Sequence, residues 1–236
     1  DFNLGVGSGS HAAQTARIMV AYEELCLKQR PDFVIVVGDV NSTMACAVTA
    51  KKLGLRVGHI EAGLRSFDRD MPEEINRLVT DSIADYYWTP SADADANLQR
   101  EGVDPQKIVF VGNIMIDAFA LMHDKIKGHT PWLDFGLQPR SYGVVTIHRP
   151  SNVDSEAKIS QILVELGRVP YPLVFPVHPR TKSRIPSTPA IPSNIHLCDA
   201  MGYLSFMSLV ENASLVITDS GGVQEETTYL GIPCFT

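Results

Sequence analysis

The stretch GHIEAGLRSFDRDMPEEINR, running from Gly58 to Arg77, gathers His59, Glu61, Asp68, Asp70, Glu73 and Glu74 between two apolar segments. Val57 to Ile60 reads as the end of a short buried strand. That puts Glu61 at a strand's C-terminal edge, where open α/β sheets carry their ligands. Pro72 fits the first turn of a helix bearing Glu73, Glu74, Asn76 and Arg77, because proline is tolerated where no intrahelical N–H bond is needed. Glu61 and Glu73 are therefore expected on one crevice. The same spacing also has a structural reading, in which the acids cap the helix N-terminus and pair with Arg65, Arg69 and Arg77. Spacing alone leaves both readings open.

Working outward, the rhythm is that of βαβ units. Upstream, Thr15 to Lys28 carries Ile18, Met19, Tyr22, Leu25 and Cys26 at helical spacing, with Pro31 as a stop. Phe33 to Val37 is a continuous run of the kind found in strands buried on both faces of a parallel sheet. Helix, strand, helix, strand, helix and strand are then expected at 43–53, 57–60, 74–83, 86–89, 92–100 and 108–111. Gly112 to Arg140 shifts composition, with a helix around 114–126 followed by a turn-rich run. The second half resumes with strands at 143–147, 173–177, 195–197 and 215–217, interleaved with helices at 155–169, 203–212 and 222–230. The expected organisation is a domain over 1–118, a connector over 119–140 and a second domain over 141–236, both doubly wound α/β. The abrupt end at Ile232 to Thr236, and a start without an opening strand, read as a piece of something longer.

Composition restricts the function classes. A net charge of −7 argues against nucleic acid as a general partner. No apolar run is long enough to span a membrane and no signal core precedes the first helix, so the expectation is a cytoplasmic protein. Cys26, Cys46, Cys198 and Cys234 lie far apart in apolar surroundings and read as reduced core residues; no metal-binding signature is present.

Thr218-Asp219-Ser220-Gly221-Gly222 follows an apolar strand and opens a helix. Free amides and the positive end of the helix dipole favour an anion there, and a diphosphate fits. Gln224, Glu225 and Glu226 occupy the first turns of that helix, where a carboxylate accepts hydrogen bonds from ribose hydroxyls. The competing reading is a tight turn with an acidic first helical turn. Gly5-Val6-Gly7-Ser8-Gly9 lacks a preceding strand and is rejected as a dinucleotide loop. His148 and Arg149 emerge after the strand at 144–147, and His178 with Arg180 repeats the pattern; each pair offers charge to a phosphate. Asp39 is a further acid at a strand end, with capping of the next helix as its alternative role. Carboxylates in one half and a phosphate turn in the other suggest proton transfer on a nucleotide-linked substrate.

Taken together, GDVNST (38–43), HIEAGLRS (59–66), MPEEINR (71–77), GN-x-x-x-D (112–117), TIHRPSNVD (146–154) and TDSGGVQEET (218–227) resemble the non-hydrolysing UDP-N-acetylglucosamine 2-epimerases over nearly the whole chain. The resemblance implies a glycosyltransferase-B-type fold of two Rossmann-like domains facing across a cleft. It implies interconversion of UDP-GlcNAc and UDP-ManNAc, with no cofactor or metal, by elimination and re-addition of UDP through a 2-acetamidoglucal, in the service of cell-surface polysaccharide biosynthesis. The family's catalytic acids fall on Asp39, Glu61 and Glu73 and its histidine on His148. Its UDP-binding turn falls on Ser220, Gly221, Gly222 and Glu226. Arg65, Arg149 and His178 are expected to contact substrate, and a homodimer is implied. The family's opening strand, its glycine-arginine-proline loop and its terminal crossing helix have no counterpart here. A glycosyltransferase of the same fold, a hydrolysing epimerase, an epimerase of a UDP-diacetamido sugar and a non-catalytic UDP-sugar module stand as alternatives.

Overall fold

A computed structural model describes residues 1–153, 155–177, 179–182, 184–185 and 191–236. The chain divides into two units, Asp1–Ile114 and Met115–Thr236. In chain order the elements are α1 (His11–Gln29), β1 (Phe33–Val37), α2 (Asn41–Lys52), β2 (Arg56–Ile60), α3 (Pro72–Ile83), β3 (Tyr86–Thr89), α4 (Ala92–Arg100), β4 (Ile108–Phe110) and α5 (Ile114–Lys127). Unit 2 continues with β5 (Gly143–Thr146), α6 (Pro150–Val153), α7 (Glu156–Leu166), β6 (Leu173–Val177), α8 (Pro179–Lys182), β7 (Ile195–Asp199), α9 (Tyr203–Glu211), β8 (Leu215–Thr218), α10 (Gly221–Leu230) and β9 (Cys234–Phe235). Both units are parallel-sheet α/β, as the alternation of elements requires.

Helix α1 starts four residues before its apolar periodicity does, because Ser10 caps it: the Ser10 Oγ accepts from the Ala13 N–H at 3.3 Å. It ends at Arg30, left-handed at φ 49°, ahead of Pro31. In unit 1 the sheet order is β1-β2-β3-β4, all parallel. Val34, Val36, Val57, Tyr87 and Leu98 form its core together with the small side chains of α2. The strand expected to be buried on both faces is not: β1 is an outer strand, with Ile35 and Val37 55% and 47% exposed. The unbroken apolar run at 33–37 therefore overstated its cover.

Unit 2 carries a parallel sheet ordered β7-β6-β5-β8-β9. The strand order reverses between β5 and β8, the kind of position at which doubly wound sheets hold ligands. Its two faces have separate cores. Val144 and Val174 pack with Phe119, Ile126, Trp132 and Tyr142, whereas Val145, Phe175 and Val177 pack with Ile159 and Leu163 of α7. Alternate residues of β5 thus feed opposite layers, which is why its sequence reads as an apolar run. Segment 119–140 contributes Phe119, Ile126 and Trp132 to the first of these layers. The four cysteines are free, and burial pushes the Cys46 and Cys198 thiols up to about 11.

Gly63 shows how tightly unit 1 is built behind its strand ends. It sits at φ +81°, and a Cβ there would lie 2.5 Å from the Ala94 carbonyl oxygen. Gly102, at φ +90°, faces open space. Gly63→Ala is expected to destabilise by at least about 1–3 kcal/mol, and Gly102→Ala by only the backbone part of that. Urea titration of the two variants against wild type checks the difference.

Candidate active site

In unit 1, pairing fixes where the acids emerge. Val37 lies opposite Ile60, and the Gly38 N–H extends the ladder by donating to the Ile60 carbonyl at 3.0 Å. Asp39 and Glu61 therefore leave adjacent strands at one level of the sheet's C-terminal edge. Both turns are left-handed, Gly38 at φ +68° and Glu61 at φ +70°. A non-glycine residue held there costs on the order of 1–3 kcal/mol, and such strain concentrates at functional positions. A Cβ on Gly38 would lie 3.7 Å from the Glu61 Oε2, so the Glu61 carboxylate reaches over that glycine.

Asp39 is gripped from two sides. Arg77 of α3 donates to its Oδ2, and Asn76 Nδ2 donates to its backbone carbonyl at 2.8 Å. Asn76 also donates to Asn41 Oδ1 at 3.3 Å, and Asn41 donates to Gln14 Oε1 at 2.8 Å, which ties α1, α2 and α3 together. These amides line a cavity of about 290 Å³ that Glu73 shares with Val40 and Ser42. The three acids expected from sequence are thus all placed at this edge of unit 1. A larger cavity, about 570 Å³, lies in unit 2 over Ile162, Leu166, Leu215 and Ile217. Its walls are almost wholly apolar, and it offers no chemistry comparable to the strand ends.

The stretch that looked like one acidic crowd has divided roles. Glu74 is buried and structural, accepting from the Ser66 N–H at 2.9 Å, the Phe67 N–H at 3.2 Å and Arg77 Nη1 at 3.3 Å. Burial opposes its charge, but these donors outweigh it and hold the carboxyl below the usual carboxylate range. Asp68 and Asp70 stay on the exposed loop. His59 is fully buried, Nδ1 facing Asp81 Oδ1 at 2.6 Å and Nε2 facing the Gly38 carbonyl at 2.9 Å. Arg65, expected to meet substrate, is instead committed inside unit 1. It bonds Asp81 at 2.7 Å and Glu101 at 2.8 and 2.6 Å, with its side chain 1% exposed. An arginine next to a strand-end acid reads the same whether it awaits a phosphate or a carboxylate from a distant helix; here the carboxylates hold it.

In unit 2, β5 and β8 run side by side with Thr146 opposite Thr218. The residues following them meet through Asp219, whose carboxylate accepts from the His148 N–H at 3.0 and 3.1 Å, the Arg149 N–H at 2.8 Å and Asn152 Nδ2 at 2.9 Å. The His148 ring Nδ1 lies 2.8 Å from Asp219 Oδ1, and Arg149 Nε donates to the Asp219 carbonyl at 2.7 Å. Burial works against the charge on Asp219, but Asn152 and the two backbone amides hold its carboxyl below the ordinary range. In the sequence Asp219 stands out only as part of the turn at 218–222.

Ser220 caps α10, its Oγ accepting from the Val223 N–H at 3.5 Å. Helix geometry leaves the Gly221 and Gly222 N–H groups without intrahelical acceptors. A side chain on Gly221 would meet nothing, whereas one on Gly222 would strike Met115 Cε at 2.7 Å. The turn is thus open at Gly221, and at Gly222 a side chain would have to displace the tip of Met115. Glu226 is only 4% exposed and accepts from Tyr203 Oη at 3.2 Å. Burial raises the Glu226 carboxyl, a tendency the Tyr203 bond opposes and Glu225 reinforces, and burial pushes Tyr203 itself up to about 12. Tyr203 had no signal in the sequence. His178 lies outside the described residues. Among the described residues no group of three or more His, Cys, Asp or Glu side chains could hold a metal ion, and no helix is long and apolar enough to cross a membrane.

Comparison with known proteins gives a family model described as UDP-N-acetylglucosamine 2-epimerase, matching residues 1–236. A UDP-N-acetylglucosamine 2-epimerase of Methanococcus maripaludis is 40% identical over 100% of this chain and 68% of its own length. A UDP-2,3-diacetamido-2,3-dideoxy-D-glucuronate 2-epimerase of Pseudomonas aeruginosa is 37% identical over 100% of this chain and 67% of its own. The crystal structure of Methanocaldococcus jannaschii UDP-GlcNAc 2-epimerase in complex with UDP-GlcNAc and UDP superposes with a TM-score of 0.88 at 39% identity, covering 99% of this chain and 67% of that one.

The Glu74 network makes a pH-dependent contribution. Because its folded-state pKa is depressed, the stabilisation is present above the ordinary carboxylate pKa and is lost as pH falls through the folded value. Glu74→Gln is expected to cost about 1–3 kcal/mol at neutral pH. The gap to wild type should close below about pH 4, as read by urea titrations across the pH range.

Proposed function

This chain belongs to the UDP-N-acetylglucosamine 2-epimerase family, and on that premise we propose how its residues divide the work of interconverting UDP-GlcNAc and UDP-ManNAc. The enzyme inverts C2 of the sugar nucleotide. The observation that carries the reading is the match of the whole chain to relatives of that activity, one of them solved with UDP-GlcNAc and UDP. The protein has the glycosyltransferase-B-type fold of two Rossmann-like domains. We propose the domain limits as 1–118 and 141–236, with 119–140 joining them and packing Phe119, Ile126 and Trp132 against the second.

The C2 hydrogen of an N-acetylhexosamine is weakly acidic, so its removal must be matched by departure of UDP from C1. One carboxylate among Asp39, Glu61 and Glu73 takes the proton as the C1–O bond to the diphosphate breaks, leaving a 2-acetamidoglucal. UDP then adds back at C1 while a proton is delivered to the other face of C2. The helix N-terminus at Ser220, Gly221 and Gly222, with Arg149 beside it, suits the charge developing on the diphosphate. His148 suits the leaving oxygen, and Glu226 suits the ribose hydroxyls. His178 remains a proposed substrate contact on sequence grounds alone. A homodimer, a cytoplasmic location and supply of ManNAc units to cell-surface polysaccharide belong to the same reading.

The similarity to the diacetamido-glucuronate epimerase supports a second substrate reading with the same chemistry. Incubation of the full-length protein with UDP-GlcNAc in deuterium oxide is expected to place deuterium at C2 and to form UDP-ManNAc without any acceptor. Asp39→Asn, Glu61→Gln and Glu73→Gln should each lower that exchange by about 10²-fold or more. Exchange confined to a diacetamido substrate would shift the assignment to the second reading. No exchange with either nucleotide would remove both.

A further inference from the structure

We propose that Asp219 is the positioning residue for His148, fixing which ring nitrogen meets the substrate while the same residue opens the anion-binding turn. This rests on the reading above that His148 acts on the sugar nucleotide. β5 and β8 are neighbours where the strand order reverses, so residues 147–149 and 219–222 emerge together. Among the described residues the Asp219 carboxylate takes most of the bonds that join the two segments, with Arg149 Nε adding one to its carbonyl. Its two oxygens take the His148 N–H, the Arg149 N–H, the Asn152 amide and the His148 ring nitrogen. Its side chain is 11% exposed, whereas that of His148 is 57% exposed.

A charged carboxylate accepts hydrogen bonds and donates none, so the His148 Nδ1 that faces it carries hydrogen. The other nitrogen, Nε2, is left for substrate. With the ring neutral, Nε2 presents a lone pair; with the ring protonated, it presents a hydrogen for an oxygen leaving with negative charge. Either way the proton traffic is confined to one atom. The backbone bonds add a second constraint, because they fix the rotation of the loop from which the ring projects. A histidine at a strand end without this partner would sample both tautomers and several rotamers, and general acid–base work depends on neither varying.

The test uses the full-length protein and three readouts. In ¹⁵N-histidine-labelled wild type, recorded where the ring is neutral, His148 should be the Nδ1–H tautomer; an Nε2–H tautomer overturns the proposal without any variant. Asp219→Asn keeps the size of the side chain and is expected to lower kcat by about 10²-fold or more, with KM and UDP affinity changed within about threefold. His148→Ala and the His148→Ala, Asp219→Asn double variant should be equally slow, since removing the positioner costs nothing once its object is gone. A further multiplicative loss in the double variant, or an Asp219→Asn enzyme with near-normal kcat, counts against the proposal. Should Asp219→Asn lose UDP binding because the turn unfolds, the wild-type tautomer decides alone. Absence of C2 exchange in wild type would instead strike the functional reading, which separates the two failures.

Discussion

Parallel strand pairing is the constraint on which the rest of this structure depends. In a parallel sheet every strand delivers its C-terminal residue to the same edge, so side chains far apart in sequence become neighbours without any long-range signal between them. Asp39 follows β1, Glu61 follows β2, His148 follows β5 and Ser220 follows β8. In unit 2 the order reverses between β5 and β8, which opens the edge where a ligand can enter. Helices then bring second contributions to the same edges, Glu73 from the first turn of α3 and Glu226 from α10.

Strand ends are turns, and turns are soft unless something holds them. In unit 1 that work falls to buried charge. Asp81 accepts from the Gly63 N–H and Arg65, and it faces His59, which in turn faces the Gly38 carbonyl. A chain of polar contacts therefore runs from α3 through β2 to the glycine on which Asp39 pivots. Arg77 performs a similar task from the other side, spanning Asp39 and Glu74. Buried pairs of this kind contribute little net stability, because desolvation offsets most of their attraction, yet breaking one leaves a stranded charge and costs several kcal/mol. Their value here is geometric. They fix His59 and Gly63 on either side of Glu61, which stands left-handed at φ 70°.

The order of elements was legible because each rests on a local cue. The runs at 33–37, 86–89 and 173–177 matched their strands to the residue, and the helix over 92–100 did likewise. What local cues do not carry is the partner. The run at 33–37 does not say whether one face or two will be covered, and β1 proved to be half-open. Arg65 stands four residues from Glu61 in sequence, but its guanidinium is claimed by Asp81 and Glu101, sixteen and thirty-six positions away. The short helix α6 begins at Pro150, directly after the strand-end pair His148-Arg149, a four-residue element too short to carry a periodicity of its own. The strand-end positions of Asp39, Glu61, His148 and Ser220 were legible for the same reason as the strands themselves.

Asp219 is the residue whose importance only the tertiary structure discloses, and its presence beside the turn proposed to bind the diphosphate poses an electrostatic problem. A unit negative charge about 6 Å from a phosphate charge costs about 3 kcal/mol at an effective dielectric of 20, enough to weaken binding more than a hundredfold. Such a residue is tolerable only if its field is met by donors, and those donors are the amides of 148 and 149, the Asn152 amide and the His148 ring, with Arg149 on its carbonyl. All of them come from the loop and helix after β5, none from the turn that Ser220 opens. The charge is thus spent on one side of the crevice, and the amides of α10 are left for a ligand on the other. Because Asp219 stands between the two, its side chain sets the direction of the His148 ring while its backbone leads into the turn at Ser220, and a change confined to the carboxylate acts on the first and spares the second.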